Sequence, residues 1–283
     1  MKTRANKLIN FVALCLNMKI DFKNKTVWVI GASSGIGEAL ITELYKENCN
    51  IILSARREEN LTEIASRLKL NDENNLVLPI DISDSKSFSS KIEKAIAKFK
   101  TIDIVILNAG IAHKSYAVET YEEVDRRIME VNFMGIILFT KQIIPIMQSQ
   151  GKGTIAITSS ILGEIGLPLV STYCASKHAI NGYFESLRYE VEKYNINISI
   201  LSPGFIRTDI TKNSLTASGE VFNKDSVAQE KGMPAVKCAT KMISAIKKGK
   251  KHSYIGGLEV YMPLFSFYFP SLFYYLMKKM HKI

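Results

Sequence analysis

Short, nearly uninterrupted apolar runs alternate along this chain with longer stretches in which apolar residues return every three or four positions. Thr26-Val-Trp-Val-Ile30 and Thr154-Ile-Ala-Ile-Thr158 are of the first kind. Such runs suit strands buried on both faces. They predict strands near 26–30, 50–54, 75–80, 102–107, 153–158, 196–201 and 252–255. The helical periodicity predicts helices near 36–48, 58–70, 84–99, 121–148, 171–194 and 234–248. Strands and helices in alternation give a parallel sheet covered on both sides, a doubly wound α/β fold. At 283 residues the chain suits a single domain of that kind. The stretch 205–233 breaks the rhythm, being weakly periodic and rich in Ser, Thr, Asn and Gly. A loop that long in a compact domain is usually functional, and its place after the sixth strand sets it over the carboxyl edge of the sheet.

Charge changes the picture only once it is mapped. The formal charge is +10. Lys2, Arg4 and Lys7 lie before residue 18, and seven lysines against Glu259 lie after residue 246. The body between is nearly neutral, which excludes the basic face that a nucleic-acid binder needs. Residues 1–17 are basic in front and apolar behind, like the first part of a signal peptide without its cleavage site. Their apolar run is too short to span a bilayer. Met18 opens a typical lead-in to the first strand, so 1–17 is expected to be an extension, either a weak interfacial anchor or not native. The domain proper is then 18–257, with a tail at 258–283.

That tail runs 18 residues without a charge from Val260 to Met277. Pro263, Pro270 and four tyrosines oppose a regular span, because tyrosine prefers the headgroup region. Lysines flank it on both sides. Two readings stand: the tail lies on an anionic membrane surface, or it packs over a ligand site or a subunit interface. Four scattered cysteines, Cys15, Cys49, Cys174 and Cys238, show no metal-ligand spacing and fit a reducing compartment. No metal is expected.

Candidate chemistry begins with Tyr173 and Lys177 in Ser171-Thr-Tyr-Cys-Ala-Ser-Lys177. On a helix this spacing puts both on one face. A fixed ammonium is expected to lower the phenol from its usual value of about 10, tuning it to exchange a proton with a carbonyl oxygen. Three other pairs share the spacing: Tyr189/Lys193, Tyr274/Lys278 and Tyr275/Lys279. Ser160 stands 13 residues before Tyr173, at the end of a strand, where it can meet the tyrosine. The serine 13 before Tyr189 is Ser176, on the same helix and about 20 Å away along it. Ser159 competes with Ser160, and the spacing favours Ser160. His113 reads as a surface loop histidine.

The turn Gly31-Ala-Ser-Ser-Gly-Ile-Gly37 sits between the first strand and first helix. Its glycines let backbone amides of Ser33, Ser34, Gly35 and Ile36 approach a pyrophosphate at a helix amino end. After the second strand, Ala55 stands where an NAD site would want a carboxylate, and Arg56 and Arg57 suit a 2′-phosphate. Glu58 and Glu59 are expected to dress the next helix. NADP(H) is therefore favoured over NAD(H).

Taken together, Gly31 to Gly37, Asn108-Ala109-Gly110, Asn132, Ser160, Tyr173-x-x-x-Lys177 and Pro203-Gly204 resemble the short-chain dehydrogenase/reductase (SDR) family over residues 24 to 256. Ile30 and Leu107 depart from its commonest pattern, and Ser34 stands where many NADP-preferring relatives carry a basic residue. The resemblance implies a Rossmann-type sheet and a hydride-transferring enzyme, similar to hydroxysteroid dehydrogenases in its apolar tail. It implies Tyr173 as acid/base, Lys177 as its partner and ribose ligand, Ser160 as carbonyl ligand, and Asn132 as holder of a water linking Lys177 to solvent. Asp81 and Ile82 would contact adenine, with Pro203, Gly204 and Thr208 near the nicotinamide. A small hydrophobic carbonyl or alcohol is the expected substrate. The expected setting is a cytoplasmic homodimer or homotetramer, peripheral on the cytoplasmic membrane face. The rival is a non-catalytic nucleotide-sensing or scaffold protein on the same fold.

Overall fold

The computed structural model describes residues 19–224 and 227–281, so the expectations for residues 1–17 and Met18 lie outside it. The main sheet has seven strands: β1 (Thr26–Ile30), β2 (Asn50–Ser54), β3 (Asn75–Val77), β4 (Ile104–Leu107), β5 (Gly153–Thr158), β6 (Ile196–Pro203) and β7 (His252–Ile255). Their order is β3-β2-β1-β4-β5-β6-β7, and every pairing is parallel. All carboxyl ends therefore face one edge, with the reversal of strand order between β1 and β4, where such sheets bind ligands.

Side chains alternate across each strand. Val27, Val29, Ile51, Leu53, Ile104 and Ile106 pack on one face with α1 (Gly35–Leu44), α2 (Glu58–Arg67) and α7 (Ala235–Lys247). Trp28, Ile30, Ile52, Val105, Leu107 and Ile155 pack on the other, against α3 (Phe88–Phe99), α5 (Gly135–Gln150) and α6 (Ser171–Val191). The Phe139 ring meets Trp28 and Phe88 edge-on at 5.2 and 5.3 Å, a favourable geometry for the ring quadrupoles. The buried indole donates to Ser54 Oγ at 2.8 Å, and that hydroxyl donates to the Leu78 carbonyl at 2.6 Å.

Three strand limits differ from expectation: β6 runs on to Pro203, and β3 and β4 are shorter. β3 ends at Val77 because Pro79 has no N–H to give the ladder, although Leu78 and Ile80 still donate to Leu53 and Ala55. β4 begins at Ile104 because the Gln150 side chain takes both backbone groups of Ile102, at 3.0 Å each. The long helix expected at 121–148 is continuous but changes winding: α4 (Glu122–Met129) passes through a π-helical turn at Glu130–Met134 into α5. Taken whole, 122–150 is the one helix among the described residues long and apolar enough to cross a membrane. Its Ile136, Phe139, Ile143 and Met147 lie in the core.

The 205–233 segment is partly ordered by a two-residue ladder, Ile206–Arg207 against Met233–Pro234, and by Leu215 bridging to both His113 and Val221. The tail folds as two short helices, α8 (Met262–Tyr268) and α9 (Pro270–His281).

Candidate active site

Beyond the carboxyl ends of the strands lies a cavity of about 1260 Å³ that reaches from the glycine turn to the tail. The turn is shaped for close approach of backbone. Gly31 has φ +86°, and a Cβ there would sit 2.5 Å from the Ala109 nitrogen; one on Gly37 would fall 1.8 Å from the Gly31 carbonyl oxygen. Only glycine allows this turn to close against β4 and open α1. Ser33, Ser34, Gly35 and Ile36 line the cavity at the amino end of α1, the geometry that receives a phosphate. Thr208 is close above, its methyl 3.1 Å from where a Cβ on Gly35 would be.

The turn is tied to the far side of the cavity by one hydrogen-bonded line. Asn108 Nδ2 donates to the Gly31 carbonyl at 3.1 Å, and Thr158 Oγ1 donates to Asn108 Oδ1 at 3.0 Å. The Thr158 carbonyl accepts from Lys177 Nζ at 2.9 Å. Lys177 is 4% exposed, and burial pushes its ammonium down to about 8. Its nitrogen lies 5.7 Å from the centre of the Tyr173 ring.

Tyr173 shows an electrostatic balance different from the one expected. Burial pushes its phenol up to about 12, and the hydrogen bond with Ser160 pulls the other way. Desolvation of the phenol is the leading cause, ahead of its neighbours. Ser160 Oγ also accepts from the Leu162 amide at 3.1 Å. Ser159 points elsewhere, donating to Asn181 Oδ1 at 2.6 Å, while Asn181 donates to the Gly163 carbonyl and to Glu164. Of the rival tyrosines, Tyr189, Tyr274 and Tyr275 are all exposed.

Asn132 is buried in the π-helical turn and clamps the loop after Gly110. Its Oδ1 accepts from the Ile111 amide at 2.8 Å, and its Nδ2 donates to the Ile111 carbonyl and to Ser176 Oγ. A Cβ on Gly110 would lie 3.4 Å from Asn132 Oδ1 and 3.5 Å from Lys177 Nζ, so that glycine leaves the two side by side.

Beyond the ends of β2 and β3, Asp81 and Ile82 line the cavity with Arg56 and Arg57. Burial works against the Asp81 charge, but two bonds from Ser83 and the Arg56 and Arg127 guanidinium groups hold it below the usual carboxylate value. Arg56 and Arg57 both stand exposed, Arg57 at the amino end of α2, with Glu58 and Glu59 in that helix's first turn as expected.

Two groups were not legible beforehand. His113, read as a surface histidine, is fully buried, because its ring bridges its own loop and the start of α6. Glu259 was not singled out at all. Its Oε1 accepts from the Gly257 and Phe205 amides at 2.9 and 3.2 Å, fastening the tail's root to the Pro203-Gly204 turn. The partner lies 54 positions away, and no local pattern announces it. Met262, Phe265, Phe273 and Met277 of the tail complete the apolar wall opposite Leu162, Leu167 and Phe205.

Residues 25–219 match the profile of the short chain dehydrogenase family. The Drosophila melanogaster dehydrogenase/reductase SDR family protein 7-like is 34% identical over 260 residues, covering 90% of this chain and 80% of that protein. The human dehydrogenase/reductase SDR family member 7 is 33% identical over 270 residues, covering 93% and 79%. Among solved structures, levodione reductase superposes with a TM-score of 0.76 at 22% identity, covering 86% of this chain and 99% of that one. A Burkholderia phymatum SDR in complex with NAD gives 0.75 at 21%, covering 83% and 90%. A Burkholderia cenocepacia short chain dehydrogenase in complex with NADP gives 0.74 at 20%, covering 91% and 99%. The chain belongs to the short-chain dehydrogenase/reductase family. It is an NAD(P)-dependent oxidoreductase on a single Rossmann-type domain.

The buried lysine gives a stability signature. Its folded value of about 8 lies below the ordinary 10.5, so between these limits the unfolded chain holds more protons. Stability should therefore rise with pH from about 8 and level off near 10.5, relative to a Lys177→Met variant that lacks the group. Urea titrations of both proteins across that window check the difference in slope.

Proposed function

We propose that the protein reduces a hydrophobic ketone or aldehyde with NADPH. The observation that carries this reading is the meeting of Tyr173, Ser160 and Lys177 on one wall of a cavity that runs from the glycine turn to an apolar tail. A nicotinamide dinucleotide bound there supplies the hydride. Gly31 to Gly37 would hold its pyrophosphate, Asn108-Ala109-Gly110 and Ile82 would flank the adenine side, and Pro203, Gly204 and Thr208 the nicotinamide side.

The phenol is the proton donor nearest Ser160 on this wall and can give its proton to a carbonyl oxygen as charge develops there. Ser160 is placed to donate to the same oxygen. Lys177 holds the ribose and keeps a positive charge beside the phenolate that forms. Asn132 fixes the loop behind them, and a remaining lone pair on its Oδ1 can hold the water that returns a proton to Lys177. The rival reading, a non-catalytic sensor or scaffold, leaves the buried lysine and the half-buried tyrosine beside it without a use.

Turnover supplies the first test. Tyr173→Phe should lose on the order of 10²-fold or more in kcat with NADPH binding little changed, and Ser160→Ala should follow it. Ser159→Ala should be mild by comparison. Retained activity in Tyr173→Phe would overturn the assignment.

Cofactor choice is assigned to the arginines after β2. The support is chemical: Ala55 offers no carboxylate to a 2′-hydroxyl, and Arg56 and Arg57, both exposed and both lining the cavity, can meet a 2′-phosphate. Wild type should bind NADPH more tightly than NADH, and Ala55→Asp with Arg57→Ala should narrow or reverse the gap. A charge-assisted contact contributes about 1.5–3 kcal/mol, enough to read by fluorescence titration. A wild-type preference for NADH gives the arginines another role.

The tail is assigned a double role, which joins the two readings left open by the sequence. Its inner side lines the cavity, and its outer side exposes Leu264, Phe267, Tyr268, Tyr274 and Tyr275, with Lys278 and Lys279 beyond. Aromatic residues bordered by lysines suit the surface of an anionic bilayer, on the cytoplasmic face. The protein should co-sediment with phosphatidylserine-containing liposomes, less so at high salt. Phe267→Glu with Tyr275→Glu should abolish this and leave NADPH binding intact. Loss of a dimer in that variant, without liposome binding in wild type, makes the face a subunit interface instead.

A further inference from the structure

We propose that His113 positions the catalytic helix: its neutral imidazole caps the start of α6 and so sets where Tyr173 stands. The inference rests on Tyr173 being the acid/base.

A helix leaves its first amides without partners, and a polar side chain at the residue before it usually supplies one. Here that residue is Val170, which offers no acceptor and has φ −137° and ψ 34°. The missing acceptor comes from 59 positions upstream: His113 Nε2 lies 3.1 Å from the Thr172 amide. A backbone N–H can only donate, so Nε2 carries no proton, and the neutral ring must carry it on Nδ1.

The remaining bonds agree with that single assignment. Nδ1 lies 3.0 Å from Ser115 Oγ and donates to it. Ser115 Oγ then donates to Thr120 Oγ1 at 2.8 Å, and Thr120 Oγ1 donates to the Tyr116 carbonyl at 2.8 Å. Every hydroxyl has one direction to point.

The histidine itself cannot easily shift. Lys114 N donates to the Leu215 carbonyl, Leu215 N to that of Ala112, and Ser115 N to that of Leu169. A second strut reaches the same helix start, where the Thr172 hydroxyl bonds the Asp125 carboxylate from α4. Tyr173 is the next residue along. The loop after Gly110 is thus held by backbone bonds to the 205–233 segment, and its His113 ring reaches the first turn of α6.

The cap works only while the ring is neutral. Burial lowers its pKa most, Asp125 on α4 raises it, and Lys114 on its own loop lowers it. The amide end of α6 also opposes a positive charge there. The net direction is below the ordinary histidine value. Protonation removes the acceptor facing Thr172, so the helix start should loosen on the acid side of that range.

The test uses the full chain and benzil as a probe ketone with NADPH. Nitrogen-15 NMR of the protein at neutral pH should show His113 protonated on Nδ1 and bare on Nε2; the opposite tautomer overturns the proposal. His113→Phe keeps a ring but no acceptor, and should lose about tenfold in kcat with little change in KM for NADPH. His113→Gln can offer its amide oxygen to Thr172, should restore most of kcat, and should lack the acid-side fall seen in wild type. Unchanged kcat in His113→Phe, or the same acid limb in His113→Gln, sinks the positioning role while leaving Tyr173→Phe to judge the catalytic reading. Should wild type not reduce benzil, hydrogen exchange decides. The Thr172 amide must exchange faster in His113→Phe than in wild type or His113→Gln, and equal rates overturn the cap.

Discussion

A buried ammonium needs partners, and the site is arranged around giving Lys177 one. Its nitrogen is out of water and donates to the Thr158 carbonyl at the end of β5. The Thr158 hydroxyl reaches Asn108 at the end of β4, and Asn108 reaches Gly31 at the end of β1. These three strands are neighbours in the sheet. The line therefore crosses the carboxyl edge from α6 to the glycine turn. A parallel sheet makes this possible because all its strands finish on one side.

Much of this was legible in the sequence because it depends on near neighbours. Short apolar-rich runs marked all seven strands of the main sheet, least clearly His252-Ser-Tyr-Ile255, and the glycine spacing marked the turn between β1 and α1. The Ser160 to Tyr173 spacing selected a pair that the structure brings together, while the rival tyrosines are exposed. What escaped depends on distant partners. Gln150 shortens β4 from 48 positions away, and the π-helical turn that seats Asn132 leaves no trace in an apolar pattern. His113 looked like a loop residue because its partners, Thr172 and Leu215, come from other parts of the chain. The burial that pushes the phenol up was not legible either, because spacing shows a neighbour's charge but not the cost of burying the group itself.

The tail was neither a span nor a plain surface element. Phe273 is buried against the cavity, while Tyr274, one position on, is exposed. Pro270 divides the segment into two helices, which lets α9 turn back so that Met277 also reaches the cavity. A single continuous helix of this composition would place one stripe on the protein and run on past it. The break gives a wall that bends around the apolar end of the site.

Glu259 gives that wall a single joint. One carboxylate oxygen holds both the amide after the Pro203-Gly204 turn and the amide at the tail's root. There is no slack in the joint: a Cβ on Gly204 or on Gly256 would come within 2.3 or 2.4 Å of the same oxygen. Phe205 beside the turn and Met262 and Phe265 of the tail all line the cavity, so one side chain fixes how that wall is joined: a substitution at Glu259 would free two amides at once, one in each segment.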